Sequence, residues 1–307
     1  MVPIVACPSV ISARLDFQHR HALVMLARLR DGKPSMWDDE PVDRKTKGVD
    51  FVKAAQGPAL EAQRLGFPIQ VVDGVAIISL SGAMDRMGDW YGQASTAEVT
   101  VAVNAAKNDP SIAASVIIAN SPGGSVDGLA ELGDAVRAHA DAKPIYAQVE
   151  GGAYSAAYYA IAHATQIFAH RMDEVGSIGT ILGTWDMSKY FADLGIEVVV
   201  IATGWMKGAG FPGAPITQEQ RDEWQRNVNL YYADFKKQVQ MGRELTAKQV
   251  SDLATGQYWT ASEALDNGLI DRVQSTADTI AKAQARAANA AKVRGARAKM
   301  DAVLGKR

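Results

Sequence analysis

The sequence predicts an α/β domain built on a mostly parallel sheet. Three observations carry that reading. Short β-branched and apolar runs alternate with amphipathic helical stretches from residue 69 to residue 273. One run, ASVIIA at 114–119, is apolar but for Ser115, as suits a strand covered on both faces. Glycine pairs or glycine-rich loops follow the runs, at 123–124, 151–152 and 204–215, where open parallel sheets place their sites.

Composition narrows the function classes. The 307 residues suffice to bury a large core. A formal net charge of −2 gives no general pull toward nucleic acid or anionic lipid, so neither is expected as a primary partner. The single cysteine, Cys7, excludes an internal disulfide and a multi-cysteine metal site. No apolar run approaches the length of a membrane span. IVAC at 4–7 loosely resembles a lipoprotein cleavage box, but the basic and apolar stretches of a secretory signal are missing. An ordinary N-terminus is expected.

The elements then follow in order. Residues 16–31 have the spacing of an amphipathic helix, 31–48 form a proline-broken linker, and 51–65 read as a second helix. PIQVVDGVAIISL at 68–80 reads as a hairpin with an Asp73-Gly74 turn. A loop at 82–93 leads to a helix at 96–107, the strand at 114–119 and a helix at 126–140. A strand at 144–149 precedes a buried helix that starts near Ser155. A strand at 166–169, a glycine-punctuated turn at 175–180 and a helix at 187–194 come next. EVVVI at 197–201 reads as a strand, 204–215 as a loop, and 217–241 as a long helix capped by Thr217. Short helices at 247–254 and 260–267 precede a last strand at 269–273. The alanine-rich basic stretch at 275–307 reads as a helical tail rather than core. The expected division is an N-terminal helical extension and linker over 1–68, the α/β domain over 69–274, and the tail.

The chemistry centres on VEGGAYSAAYYAIA at 149–162. Ser155 stands after two glycines and at the first turn of a helix, where free N–H groups favour a developing oxyanion. A serine there can also be a plain N-cap. Pro122-Gly123-Gly124 offers unobstructed backbone N–H groups for an oxyanion hole, and equally suits a simple strand-to-helix turn. Lys207 is a candidate base. To serve, its amine must lose its proton near neutral pH, which takes desolvation, and Trp205, Met206, Phe211 and Pro212 could supply the apolar wall. Most loop lysines are merely solvated. Among the five histidines, His170 is the credible rival base; His163 lies too far along the helix that Ser155 begins.

NSPGGSV at 120–126, GGAYSAAYYAIA, GSIGTI at 176–181, the Lys207 loop and WTASEALDNGLID at 259–271 together resemble the signal peptide peptidase A family, over roughly residues 70–273. Among its members the chain is most similar to the soluble single-domain ones, which include capsid maturation proteases of tailed phages. The resemblance implies a Clp/crotonase-like fold of stacked β-β-α units and a Ser-Lys serine endopeptidase without metal or organic cofactor. By it, Ser155 is the nucleophile and Lys207 the general base. Ser177 orients the lysine, and Gly123, Gly124 and Ala156 line the oxyanion hole. Thr180 stands where Clp-type relatives carry a histidine, and cannot act as that base. Gln257 replaces an arginine common in the family. The implied partners are protein or peptide substrates, among them capsid scaffold or portal proteins, and further copies of the chain that complete the dyad across subunits. The implied setting is a bacterial cytoplasm or a phage procapsid. Degradation of signal peptides, and a silent binding or scaffold protein, are the alternatives.

Overall fold

The computed structural model describes residues 49–88 and 93–304; the helix expected at 16–31, the linker at 31–48 and Cys7 lie outside them. Two short helices, α1 (Phe51–Gln56) and α2 (Ala59–Arg64), replace the single one expected at 51–65. Pro58 lacks the N–H that would carry the ladder past Gly57. The pair is not a detached extension. Asp109 Oδ2 accepts the Ala59 N–H (2.9 Å), and Asn108 Nδ2 donates to the Ala55 carbonyl (3.0 Å).

The hairpin forms as expected from β1 (Ile69–Val72) and β2 (Val75–Ser81), with positive φ at both Asp73 and Gly74. A two-stranded ladder, β3 (Met84–Asp85) and β4 (Ala94–Ser95), leads into α3 (Thr96–Asn108), whose first turn is capped by Ser95. Then come β5 (Ala114–Ser121), α4 (Leu129–Ala142), β6 (Ile145–Tyr154), α5 (Ala156–Ile161), β7 (Gln166–Ala169) and β8 (Glu174–Gly176). The C-terminal part holds α6 (Ser188–Asp193), α7 (Gln218–Arg243), α8 (Ala247–Leu253), β9 (Tyr258–Thr260), α9 (Ala261–Asp266), β10 (Arg272–Val273) and α10 (Thr276–Leu304).

The main sheet runs β1-β2-β5-β6-β7-β10 and is parallel from β2 onward. Beyond β7, β6 continues beside β8, which β9 borders antiparallel. Alternate residues feed two cores. Ile78, Ile117 and Val149 pack with α3, α4 and α5, whereas Val75, Val116, Tyr146 and Phe168 pack under Ala283 and Ala287 of α10.

Three expectations change. β6 runs to Tyr154, because β8 supplies a new ladder after β7 ends. EVVVI forms no strand: Val199 and Ile201 are exposed and have no neighbouring strand, and β propensity without a partner does not make a ladder. The basic helix is core over its first half, where Thr279, Ala283 and Ala287 are buried, and solvated beyond.

Candidate active site

The register of β6 and β8 brings two serines together. Tyr154 pairs with Gly176, so the next residues, Ser155 and Ser177, leave adjacent parallel strands side by side. The Ser155 N–H donates to the Gly176 carbonyl (2.8 Å), and the Ser177 N–H to the Gln257 carbonyl (2.6 Å). Both serines have positive φ, 52° and 50°. That region is costly for a residue with a side chain and persists only where the surroundings impose it, which is common at functional sites.

Gly123 fits against the first serine. A Cβ there would stand 2.8 Å from Ser155 Cβ and 2.6 Å from the Tyr154 carbonyl oxygen, and Gly123 has φ +86°. Only glycine allows that approach. The Gly123 N–H, expected to face an oxyanion, donates instead to the buried Ser121 hydroxyl (3.1 Å). Gly124 is placed by Met84, whose N–H donates to the Gly123 carbonyl and whose carbonyl accepts from Ser125. Among the described residues, the N–H groups of Gly124 and Ala156 meet no acceptor. Both residues line one cavity with Ser155.

That cavity has a volume of about 540 Å3. Met84, Leu129, Ile181, Leu182, Tyr231 and Phe235 give it an apolar wall. A second space of about 300 Å3 opens behind it and contains Ser177; Gly179, Thr180 and Ile181 divide the two. Thr180 is a strut here, its hydroxyl donating to the Val228 carbonyl in α7 (2.8 Å).

Lys207 is elsewhere. It is exposed, does not line the cavity, and has no hydrogen-bond or ion-pair partner for its amine among the described residues. Its loop is held near the start of α7, where Gln220 donates to the Trp205 carbonyl (3.0 Å). Val228, at the cavity, lies eight residues further along α7, roughly 12 Å at the helical rise. The rival base does not line the cavity either. His170 follows β7, exposed, with its backbone N–H on Asp173 and its ring beside Thr276. His163 contacts Gln238 through its ring, and His139 is buried against Ser115. Ser155 Oγ itself has no partner among the described residues.

The profile of peptidase family S49 matches residues 137–291, half of the chain, from within α4 through α5 to α10. The chain belongs to peptidase family S49. A Methanocaldococcus jannaschii protein named for an inferred protease activity is 33% identical over 176 residues, 57% of each chain. The chloroplastic serine protease SPPA of Arabidopsis thaliana is 26% identical over 70% of this chain and 32% of its own. Capsid assembly protease C of Escherichia phage lambda is 23% identical over 69% of this chain and 49% of its own. The chain spans no more than about half the length of most of these relatives, and the part matched by the family profile includes Ser155 and Ser177. Among the described residues, no helix is long and apolar enough to cross a membrane.

Several residues of the site carried no sequence signal. Asp173, Tyr154 and Glu174 act across strands whose register only the fold sets, Ser121 acts within its own turn, and Tyr231 and Phe235 read as ordinary positions of an amphipathic helix.

Proposed function

We propose that this S49 peptidase is a serine endopeptidase that works by acyl transfer from Ser155, with Lys207 supplied by a second copy of the chain. One observation carries the reading: a strained serine and two free N–H groups share the mouth of an apolar cavity, a second strained serine leaves the neighbouring strand, and no base among the described residues stands beside them. The Gly124 and Ala156 N–H groups would receive the oxyanion, and Gly123 would keep the nucleophile close. Lys207 takes the Ser155 proton as Oγ bonds to the carbonyl carbon. The C–N bond then breaks, the proton passes to the leaving amine, and water hydrolyses the ester. Ser177, beside Ser155, would accept or donate to the incoming amine and orient it.

We read the sheet as that of a Clp/crotonase-like fold, supported by the repeated strand–helix units from β5 to α5. We place the activity in proteolysis during phage capsid assembly, with scaffold or portal proteins as substrates and the procapsid or host cytoplasm as the setting. Support is the similarity to the lambda capsid assembly protease over 69% of the chain.

Mixing Ser155→Ala with Lys207→Ala protein tests the shared dyad. Each alone should be inactive, and the mixture should regain activity where an intact serine meets an intact lysine. Hetero-oligomers that form yet stay inactive would overturn it. Failure of a fluorophosphonate probe to label Ser155 in the assembled wild type would instead favour a silent binding protein.

A further inference from the structure

We infer that Asp173 is a positioning residue whose carboxylate sets the register of the two serine-bearing strands. The inference rests on the serine-peptidase reading above. Strand β6 is irregular just before its serine. Ala119 pairs with Val149, but two residues later Ser121 pairs with Ala153, so β6 carries two extra residues around Glu150 and Gly151. On its other side β6 loses β7 after Val149 and gains β8 from Gly152. Gly151, at φ +91°, falls in the gap, and its N–H has no strand partner.

Asp173 fills that gap. Its Oδ1 accepts the Gly151 N–H (2.9 Å) and its Oδ2 accepts the His170 N–H (2.7 Å), with the side chain buried. Its own carbonyl takes the Ala261 N–H, which anchors it to α9. Gly151 is four residues before Ser155, and Asp173 is four residues before Ser177. One carboxylate therefore ties the two strands at equal distances from the two serines. A one-residue slip would turn one serine to the opposite face of the sheet while the other stayed. Tyr154 adds a second clasp over the same strands, donating to Glu174 Oε2 (2.6 Å). Two converging N–H donors require two acceptor oxygens. Asparagine offers one, and turns an NH2 group onto the other donor.

Asp271 is the matched control. Its Oδ2 also accepts a strand N–H, from Ile167 (2.6 Å), but it holds β7 and β10, away from the serines. Wild type, Asp173→Asn and Asp271→Asn should be compared for melting temperature, kcat, KM and the rate of Ser155 labelling by a fluorophosphonate. Asp173→Asn should slow both labelling and kcat at least tenfold with KM within about twofold. Asp271→Asn should lose comparable melting temperature and label at the wild-type rate. Wild-type labelling in Asp173→Asn, or equal slowing in both variants, overturns the inference. If Asp173→Asn does not fold, Asp173→Glu replaces it: two oxygens on a longer stem must still shift the register, and full activity in it is the overturning result. A wild type that does not label at Ser155 removes the peptidase reading itself, and the inference with it.

Discussion

Around Ser155, each neighbouring atom is held from two sides: Gly176 and Gly123 fix the serine, Ser121 and Met84 fix the glycine loop, and Asp173 fixes the strands. Around Lys207 the opposite holds. Residues 181–216 form an arm rich in apolar side chains that no core covers, with Trp185 85% and Ile201 95% exposed and Val199, Trp205 and Phe211 also in solvent. Only the base of the arm is tied down, by Asp186 to Ile216 and Arg221 and by Gln220 to Trp205. A folded monomer rarely leaves so many large apolar side chains of one segment open to solvent. Ser155 thus has its backbone fixed by contacts within one chain, whereas Lys207 sits on an arm whose apolar side chains stand in solvent.

The largest effects should come from the reacting groups in both regions. Ser155→Ala and Lys207→Ala should each lower kcat by roughly 10³-fold or more, with the melting transition little changed. Equal loss from both, although only one residue lines the cavity, would sharpen the contrast. An active Lys207→Ala would break it.

Next comes the glycine packed against Ser155. In Gly123→Ala the new Cβ would meet Ser155 Cβ and the Tyr154 carbonyl at under 3 Å, at a φ of +86°. Labelling of Ser155 should slow by about 10²-fold, the size of an oxyanion-hole loss. Labelling at the wild-type rate would show that the loop yields, and that the serine region is less constrained than its contacts suggest.

The arm should respond to concentration instead. Trp185→Ser with Ile201→Ser should leave the monomer folded, because neither side chain belongs to a core. Assembly, followed by sedimentation, should need about tenfold more protein, as for loss of an aromatic interface anchor, and activity should return as concentration rises. A fixed loss at all concentrations would place these residues in substrate binding.

What the sequence showed of this molecule follows the same division. The Asp73-Gly74 hairpin, the apolar strand at 114–119 and the helix capped at Thr217 were legible, because each is set by local turn, cap or periodicity chemistry. So was the position of Ser155 between paired glycines and a buried helix. The extension of β6 past Gly151-Gly152 was not, since it depends on β8, more than twenty residues further along the chain. EVVVI misled for the converse reason: a strand-like composition was present and the partner was not. Gly123 and Gly124 looked equivalent, but the Ser121 hydroxyl occupies one N–H and leaves the other free.

The smallest effect is expected where neither region is touched. His139 is fully buried, its Nε2 against the Ser115 hydroxyl (2.9 Å) and its Nδ1 against the Lys143 carbonyl (3.2 Å). A carbonyl only accepts, so Nδ1 carries the proton and Nε2 accepts from Ser115: the ring is neutral in the folded protein. Burial lowers its pKa from 6.5 to about 4. Between those values the unfolded chain binds a proton that the folded chain does not, so stability falls as pH drops from 6.5 toward 4. Above pH 6.5 both states are neutral and the group has no pH dependence. At 1.36 kcal/mol per pH unit over that range, the loss is at most roughly 3 to 4 kcal/mol. Denaturant unfolding at pH 7, 5.5 and 4.5 should show this slope in the wild type. His139→Gln, which has no charge to gain, should be less stable at pH 7 yet lose less on acidification, with kcat at pH 7 unchanged. A slope as steep in His139→Gln as in the wild type would assign the acid sensitivity to carboxylates such as Asp109, whose pKa is lowered, through hydrogen bonds from Ser111 and the Ala59 N–H, against the upward push of burial.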